Sequence, residues 1–305
     1  MERVLSMYFS PTRTYTSLLE KSNKGLKLLD FSTSSKPIDL ENLENPTNEE
    51  ALEELYTTIK EISYEAQISS ISIPMEYLII TQFPGRPELS RDEIMTVLDF
   101  EIKHNYPQFN PEDFPTYLFE LQPRKERIHF LAAIIPKKIF QTIKSIAKQF
   151  SKNVQRIEIS QISAQNCFLY NYPEERNNYV ALFNLSENFI DYSVIKGKEF
   201  YSYNLIKYNS EEDIPKLIEQ NVNKINNEFS IEINSLYLFG TNLNKIIINN
   251  LTQQFANKST KIKRLNAFRL VANGMDESSK QICARLAHHY PACVGCVLPV
   301  FHRKV

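Results

Sequence analysis

Apolar residues recur along this chain in two rhythms. Compact runs rich in Val, Ile, Tyr and Phe are bounded by polar turns, and longer stretches carry an apolar side chain every third or fourth position. The compact runs open the chain. Val4–Phe9 and Thr14–Glu20 read as a hairpin joined by Ser10-Pro11-Thr12-Arg13, and Leu26–Phe31 follows the Asn23-Lys24-Gly25 turn as a third strand. Ser32–Asn48 is polar and carries Pro37 and Pro46, so it reads as a loop. Helix Glu49–Ala66 comes next, with Leu52, Leu55, Ile59 and Ile62 at steps of three and four.

Gln67–Pro136 reads strand, strand, helix, strand, strand, and its helix carries Ile94, Val97, Leu98 and Ile102 as one stripe. A second helix after Pro136 places Ile139, Phe140, Ile143, Ile146, Ala147 and Phe150 on one face. Asn153–Ile159 reads as a returning strand and Ser160–Tyr170 as a connecting helix. A second three-strand run follows, YVALFNL, FIDYSVI and EFYSYNLI, with a turn at Lys196-Gly197. It repeats the pattern of the first three strands without repeating their sequence. Ser210 opens the next helix, with Asp213 three residues on as a relative of the capping box, and Ile214, Leu217, Ile218, Val222, Ile225 and Phe229 form its buried face. Strand Ser235–Phe239, the turn Gly240-Thr241-Asn242 and helix Leu243–Phe255 follow. The chain closes with a strand around Arg264–Leu270 and a helix from Met275 through the run PACVGCVLP.

Composition narrows the partners. The 35 basic and 36 acidic residues leave a formal charge of −1 and no basic stripe, so nucleic acid is not expected. No apolar run approaches the roughly 20 residues of a membrane span, and the apolar run at the N-terminus comes too early for a signal peptide. A cytoplasmic location is expected. Four cysteines in 305 residues do not make a disulfide scaffold.

Several stretches together resemble one family. They are the element order of Gln67–Pro136, the run Ser70-Ile71-Ser72-Ile73-Pro74, and the turn Asn105-Tyr106-Pro107-Gln108-Phe109 leading through Pro111-Glu112-Asp113-Phe114 into a strand. The closing run Pro291–Pro299 completes the set. These are similar to the type IV pilus assembly protein PilM, a bacterial relative of actin and FtsA. The resemblance implies an α/β, actin-like (ribonuclease H-like, duplicated) two-lobe fold with an inserted α+β subdomain. Residues 1–83 would form the first part of the first lobe, 84–156 the insert, and 157–305 the remainder of that lobe and the second lobe. Between Ile206 and Ser210 the chain is too short for the lid that PilM relatives carry in the second lobe.

Folds of this kind bind ATP on glycine-bearing turns, and this chain has six glycines in all. The positions matching the first phosphate turn include Ser10, Thr12 and Thr14, where neither acid nor glycine is present and Pro11 removes an amide donor. Those matching the second include Asn184 and Ser186, and Glu187 puts a negative charge where phosphate would approach. The adenosine motif keeps only Gly240, followed by Thr241. The expectation is a degenerate site with no cofactor (neither ATP nor Mg) and no hydrolysis.

For partners, the resemblance implies capture of the N-terminal peptide of a bitopic inner-membrane protein. The groove would be walled by the strands of Gln67–Gly85 and the helix Arg91–Asn105, leaving the protein peripheral to the inner membrane. An ATP-binding protein that polymerises or switches with nucleotide, and hence self-associates, is the alternative. Cys293 and Cys296 have C-x-x-C spacing, with Cys283, His288, His289 and His302 near them in sequence. Their apolar, small-residue run reads as a core helix rather than a metal or redox site. No G-x-S-x-G, H-E-x-x-H or Walker A loop is present, His104 and His129 are isolated, and Glu49, Glu50, Glu53 and Glu54 read as a solvated helix face.

Overall fold

Val4 to Phe9 of strand β1 (Arg3–Phe9) are all buried, because helices cover both faces of their sheet. Alternate side chains divide between two cores. Val4 and Tyr8 pack with Tyr290, Cys293 and Val294, whereas Leu5, Met7 and Phe9 pack with Leu55, Ile59, Ile143 and Ile146. A strand clad on both sides reads as a continuous apolar run rather than an in–out alternation. The structure, a computed structural model, describes residues 2–301 apart from positions 24, 43–45, 64, 65, 67, 87, 105, 108, 109, 111–113, 125, 126, 151 and 152.

Strands β2 (Thr14–Ser22) and β3 (Gly25–Thr33) complete an antiparallel meander with β1. Helix α1 (Pro46–Ser63) crosses to β4 (Ile68–Ile73), which lies parallel to β1, and β8 (Val154–Ile159) lies parallel to β4. With β14 (Ala272–Asn273) on the far edge, the order is β14-β3-β2-β1-β4-β8. The second sheet repeats this plan. β9 (Val180–Leu185), β10 (Phe189–Lys196) and β11 (Glu199–Lys207) form a meander, and α5 (Ile214–Phe229) crosses to β12 (Ser235–Phe239), parallel to β9. Helix α6 (Lys245–Gln254) leads to β13 (Lys261–Arg264), parallel to β12. The order β11-β10-β9-β12-β13 matches β3-β2-β1-β4-β8, so β1 and β9 hold equivalent central positions.

The duplication also shows at single residues. Ser10 and Ser186 each follow the end of a first strand. Each donates its N–H and its hydroxyl to the carbonyl three residues on, Arg13 and Phe189 respectively.

A third, antiparallel sheet is inserted between β4 and β8: β5 (Ile79–Gly85), β7 (Arg127–Ile134) and β6 (Thr116–Arg124), in the order β5-β7-β6. One face packs Phe83, Phe130, Ala132 and Ile134 on Leu98 and Ile102 of helix α2 (Arg91–Lys103), which starts in a Ser90–Glu93 capping box. The other face packs Leu121, Leu131 and Ala133 with Phe200 and Tyr203 of β11. The insert expected over 84–156 is therefore corrected at both ends. β5 already belongs to it from Ile79, while helix α3 (Lys137–Phe150) and β8 belong to the first lobe, where Ile139, Ile143 and Ile146 fill the core beside β1. Periodicity identifies a buried stripe but not the core that buries it.

Helix α4 (Ser160–Asn171) joins the lobes and is buried on most sides. Helix α8 (Pro291–Gly295) lies so close to it that a Cβ on Gly295 would fall 1.6 Å from the Ser163 carbonyl oxygen. Three local expectations are also corrected. The single closing helix is broken into α7 (Glu277–Leu286), capped by Asp276, then α8, which starts at Pro291, then α9 (Leu298–Phe301). The strand placed around Arg264–Leu270 ends at Arg264, because the Asn266 side chain turns the chain by accepting from Phe268 N. Ser210 accepts from Glu212 N and caps a short 3-10 turn, so α5 starts only at Ile214.

Candidate functional site

The β1–β2 turn, the β9–β10 turn and the turn after β12 come from distant parts of the chain and meet around one cavity. It measures about 440 Å³ and is lined by Thr12, Arg13, Tyr15, Thr33, Glu187, Thr241, Asn242, Leu286 and His289. Of the seven sequence-derived positions, Thr12 and Thr241 line it. Ser10, Thr14, Asn184, Ser186 and Gly240 are buried behind the lining.

Six amides at or beside these turns are already bonded within the protein. Ser10 N donates to Arg13 O, Arg13 N to Ser10 Oγ at 3.1 Å, and Thr14 N to Ser34 Oγ at 2.8 Å. Ser186 N donates to Phe189 O, Gly240 N to His288 O, and Asn242 N to Leu185 O. Gly240 has φ +107°, and a Cβ there would fall 2.4 Å from Asn184 Oδ1 and 2.5 Å from Leu185 O. The glycine is thus required by its own backbone and by contact with the second turn. Asn184 points away from the cavity, donating to Asp191 Oδ2 at 3.0 Å. These six amides are not free to cradle a polyphosphate, and Glu187 adds a negative charge to the lining.

Across the cavity, His289 stacks on Tyr15 at 5.7 Å. Burial lowers the His289 pKa from the usual histidine range and pushes the Tyr15 hydroxyl up to about 12, so both rings present neutral faces at physiological pH. Arg13 is the cation on the lining. Its convergence with His289 and Leu286 left no sequence signal, since turn and helix residues far apart in the chain meet only through the fold.

The cysteines behave as small core side chains. Cys293 and Cys296 are buried, Cys293 Sγ lies 3.1 Å from Ser6 Oγ, and burial raises the Cys293 thiol to about 11. Among the described residues no three His, Cys, Asp or Glu side chains are grouped to hold a metal, and His302 lies outside those residues.

A second concavity, about 540 Å³, runs between the insert and the second lobe. Leu78 to Gln82 form one wall and Glu101, Ile102 and Tyr106 its end, while Tyr203, Asn204 and Leu205 of β11 form the opposite wall. Both strands are sheet edges, β5 laddered only to β7 and β11 only to β10, and Gln82 Nε2 donates across to Tyr203 O at 2.7 Å. Of the expected groove walls, β5 and α2 take part and β4 does not. The wall formed by β11 was not anticipated. Asn105, Gln108 and Phe109 of the quoted turn lie outside the described residues, whereas Tyr106 reaches the groove.

Two lobes of matching strand order around a buried linking helix, with a third sheet inserted in the first, define the actin-like α/β class. Among solved structures the chain is similar to the PilM-PilN type IV pilus biogenesis complex, at 11% identity over 98% of this chain and 99% of that one, with a TM-score of 0.68. It is also similar to a Bacteroides thetaiotaomicron protein with an actin-like ATPase fold and unknown function, at 17% identity over 92% and 96% of the two chains, with a TM-score of 0.53. A further likeness is to the ethanolamine utilization protein EutJ of Carboxydothermus hydrogenoformans, at 5% identity over 97% and 89%, with a TM-score of 0.50. Likeness at these identities establishes the fold. No family model and no curated protein sequence matches the chain.

Proposed function

We propose that the protein is a non-enzymatic scaffold that docks an extended segment of an inner-membrane pilus or secretion assembly protein in the β5–β11 groove, without using ATP. The observation that carries this reading is a contrast in backbone chemistry. Six amides at or beside the three turns are bonded to protein carbonyls and hydroxyls, whereas the groove is bordered by two strand edges and mostly apolar side chains. An extended peptide gains main-chain hydrogen bonds from such an edge and specificity from alternate side chains. The similarity to PilM in its complex with PilN supports a partner-binding role. Among the described residues no helix is long and apolar enough to cross a membrane, and a cytoplasmic site peripheral to the inner membrane suits this reading.

The alternative, an ATP-binding protein that polymerises or switches with nucleotide, has one observation in its favour, the cavity where the three turns converge. Isothermal titration with Mg-ATP separates the two. The scaffold reading expects no saturable heat, whereas saturable micromolar binding by the native chain would establish the alternative. Pull-down from solubilised inner membranes is then expected to recover a single-span protein through its cytoplasmic segment. Recovery of none, with the intact chain as bait, would defeat the scaffold reading.

A further inference from the structure

The free edge of β11 is already occupied by two side chains. Tyr208 N donates to Asn188 O, so these two residues form a hydrogen-bonded pair at the end of the β10–β11 ladder. Such pairs recur at every second residue of an antiparallel ladder. The backbone groups of Ser202, Asn204 and Ile206 therefore turn towards β10, and those of Tyr203, Leu205 and Lys207 turn to the open edge. There Gln82 Nε2 of β5 donates to Tyr203 O at 2.7 Å, and Leu205 N donates to Asn204 Oδ1 at 3.0 Å. One residue of an added parallel strand would make the same two bonds, its N–H to Tyr203 O and its carbonyl to Leu205 N. Gln82 and Asn204 thus stand in for a missing neighbour and blunt an edge that would otherwise pair with other chains.

Gln82 also interrupts the space along this edge. Besides the groove of about 540 Å³, a smaller hollow of about 130 Å³ is lined by Tyr192, Lys224 and Glu228 together with Gln82, Tyr203 and Asn204. The last three residues line both spaces, so the Gln82 bridge stands where the two meet. Gln82 is exposed, and exchanging its bond to Tyr203 O for an equivalent one from another backbone costs little. On the larger lining, Glu101 is the charged side chain and Leu78, Ile80 and Leu205 are apolar. That combination suits a segment carrying apolar side chains and a Lys or Arg. Cytoplasmic flanks of single-span proteins carry an excess of such cations.

We infer, on the basis of the docking role proposed above, that the partner adds to the β11 edge as a strand that displaces Gln82, and that this strand alternates apolar and basic residues. Gln82 is a plug. It keeps the edge closed to other chains and yields to a segment whose N–H replaces its own on Tyr203 O.

The probe is a fluorescein-labelled, capped eight-residue peptide of alternating valine and lysine, titrated against the whole chain by anisotropy. Saturable binding is expected. Gln82→Ala frees Tyr203 O and should tighten that binding about fivefold. Asn204→Ala frees Leu205 N and should act in the same direction. The same peptide N-methylated at every residue keeps its side chains but has no N–H to give, and should not bind. The inference is overturned if neither the native chain nor Gln82→Ala binds the peptide, if Gln82→Ala leaves its affinity unchanged or weaker, or if the methylated peptide binds as well as its parent. Membrane capture separates this outcome from the wider reading. A single-span protein captured equally by the native and Gln82→Ala chains keeps the scaffold and removes the plug. Probe binding that Gln82→Ala tightens, with no membrane protein captured, keeps the plugged edge and removes the scaffold.

Discussion

At the three-turn cleft, Ser10, Arg13, Ser186, Gly240 and Asn242 all donate their N–H groups to protein acceptors. At the groove, β5 and β11 each carry a ladder on one side only. The first region keeps the converging turns of the actin-like fold, and those turns are knitted together, Gly240 packing on Asn184 and Leu185. The second has no ligand motif in its sequence, yet it presents edge backbone beside Leu78, Ile80 and Leu205. A turn can thus be required by its architecture, and a concavity can arise where two sheets end.

Gly240 gives the largest effect with which to break this contrast. Gly240→Ala adds a Cβ 2.4–2.7 Å from Asn184 and Leu185 at a φ of +107°. Strain and overpacking together should cost about 2–4 kcal/mol of stability, read as a lowered denaturant midpoint with unchanged slope. Unchanged stability would show that the turns do not hold one another and that the glycine is there for a ligand.

His288 probes the same wall through pH. Its carbonyl holds Gly240 N. Burial, followed by the neighbouring His289 and Arg264 charges, lowers the imidazole from 6.5 to about 3. The folded state therefore favours the neutral ring. Stability is full above the unfolded value and falls as pH drops from 6.5 towards 3, because the unfolded chain takes up the proton first. His288→Gln should remove that dependence and gain about 1–2 kcal/mol relative to the native chain near pH 5. Parallel pH–stability curves for the two proteins would mean that this wall is open to water.

The groove side of the contrast is tested by Thr81→Arg, which places a long charged side chain on the β5 wall outside the apolar clusters. Capture of the membrane partner should weaken about tenfold or more, with stability changed by less than about 1 kcal/mol. Undiminished capture would move the docking surface elsewhere.

The two lobes were legible in the sequence because strands covered on both faces, such as Val4–Phe9 and Val180–Leu185, appear as largely apolar runs, interrupted only by Ser6 and Asn184 and bounded by Ser10 and Ser186. The stripe of α2 was legible for the same kind of reason, Leu98 and Ile102 recurring at helical spacing. The groove was legible on one side only. Phe200, Tyr203 and Leu205 look like any strand in the sequence, and only the fold sets them against Ile80 and Leu131. The break at Pro291 was missed, because the apolar run beyond it reads as part of a single helix from Met275. That run is buried because α8 and α9 pack against α4 and the first sheet, a long-range fact that local pattern does not encode.

Arg13 gives the smallest effect and sharpens the contrast most finely. It is the cation on the cleft lining, and its side chain is exposed. Its backbone closes the turn with Ser10, a bond that survives side-chain truncation. Arg13→Ala should therefore change stability by less than about 0.5 kcal/mol. The melting temperature of the native chain should also be the same with and without millimolar Mg-ATP, since a ligand that binds the folded state raises it in proportion to the logarithm of its excess over Kd. A nucleotide-dependent rise in the native chain that Arg13→Ala abolishes would show that this cleft holds an anion through its side chains despite its bonded amides. The division between an architectural cleft and a binding groove would then fail at the cleft.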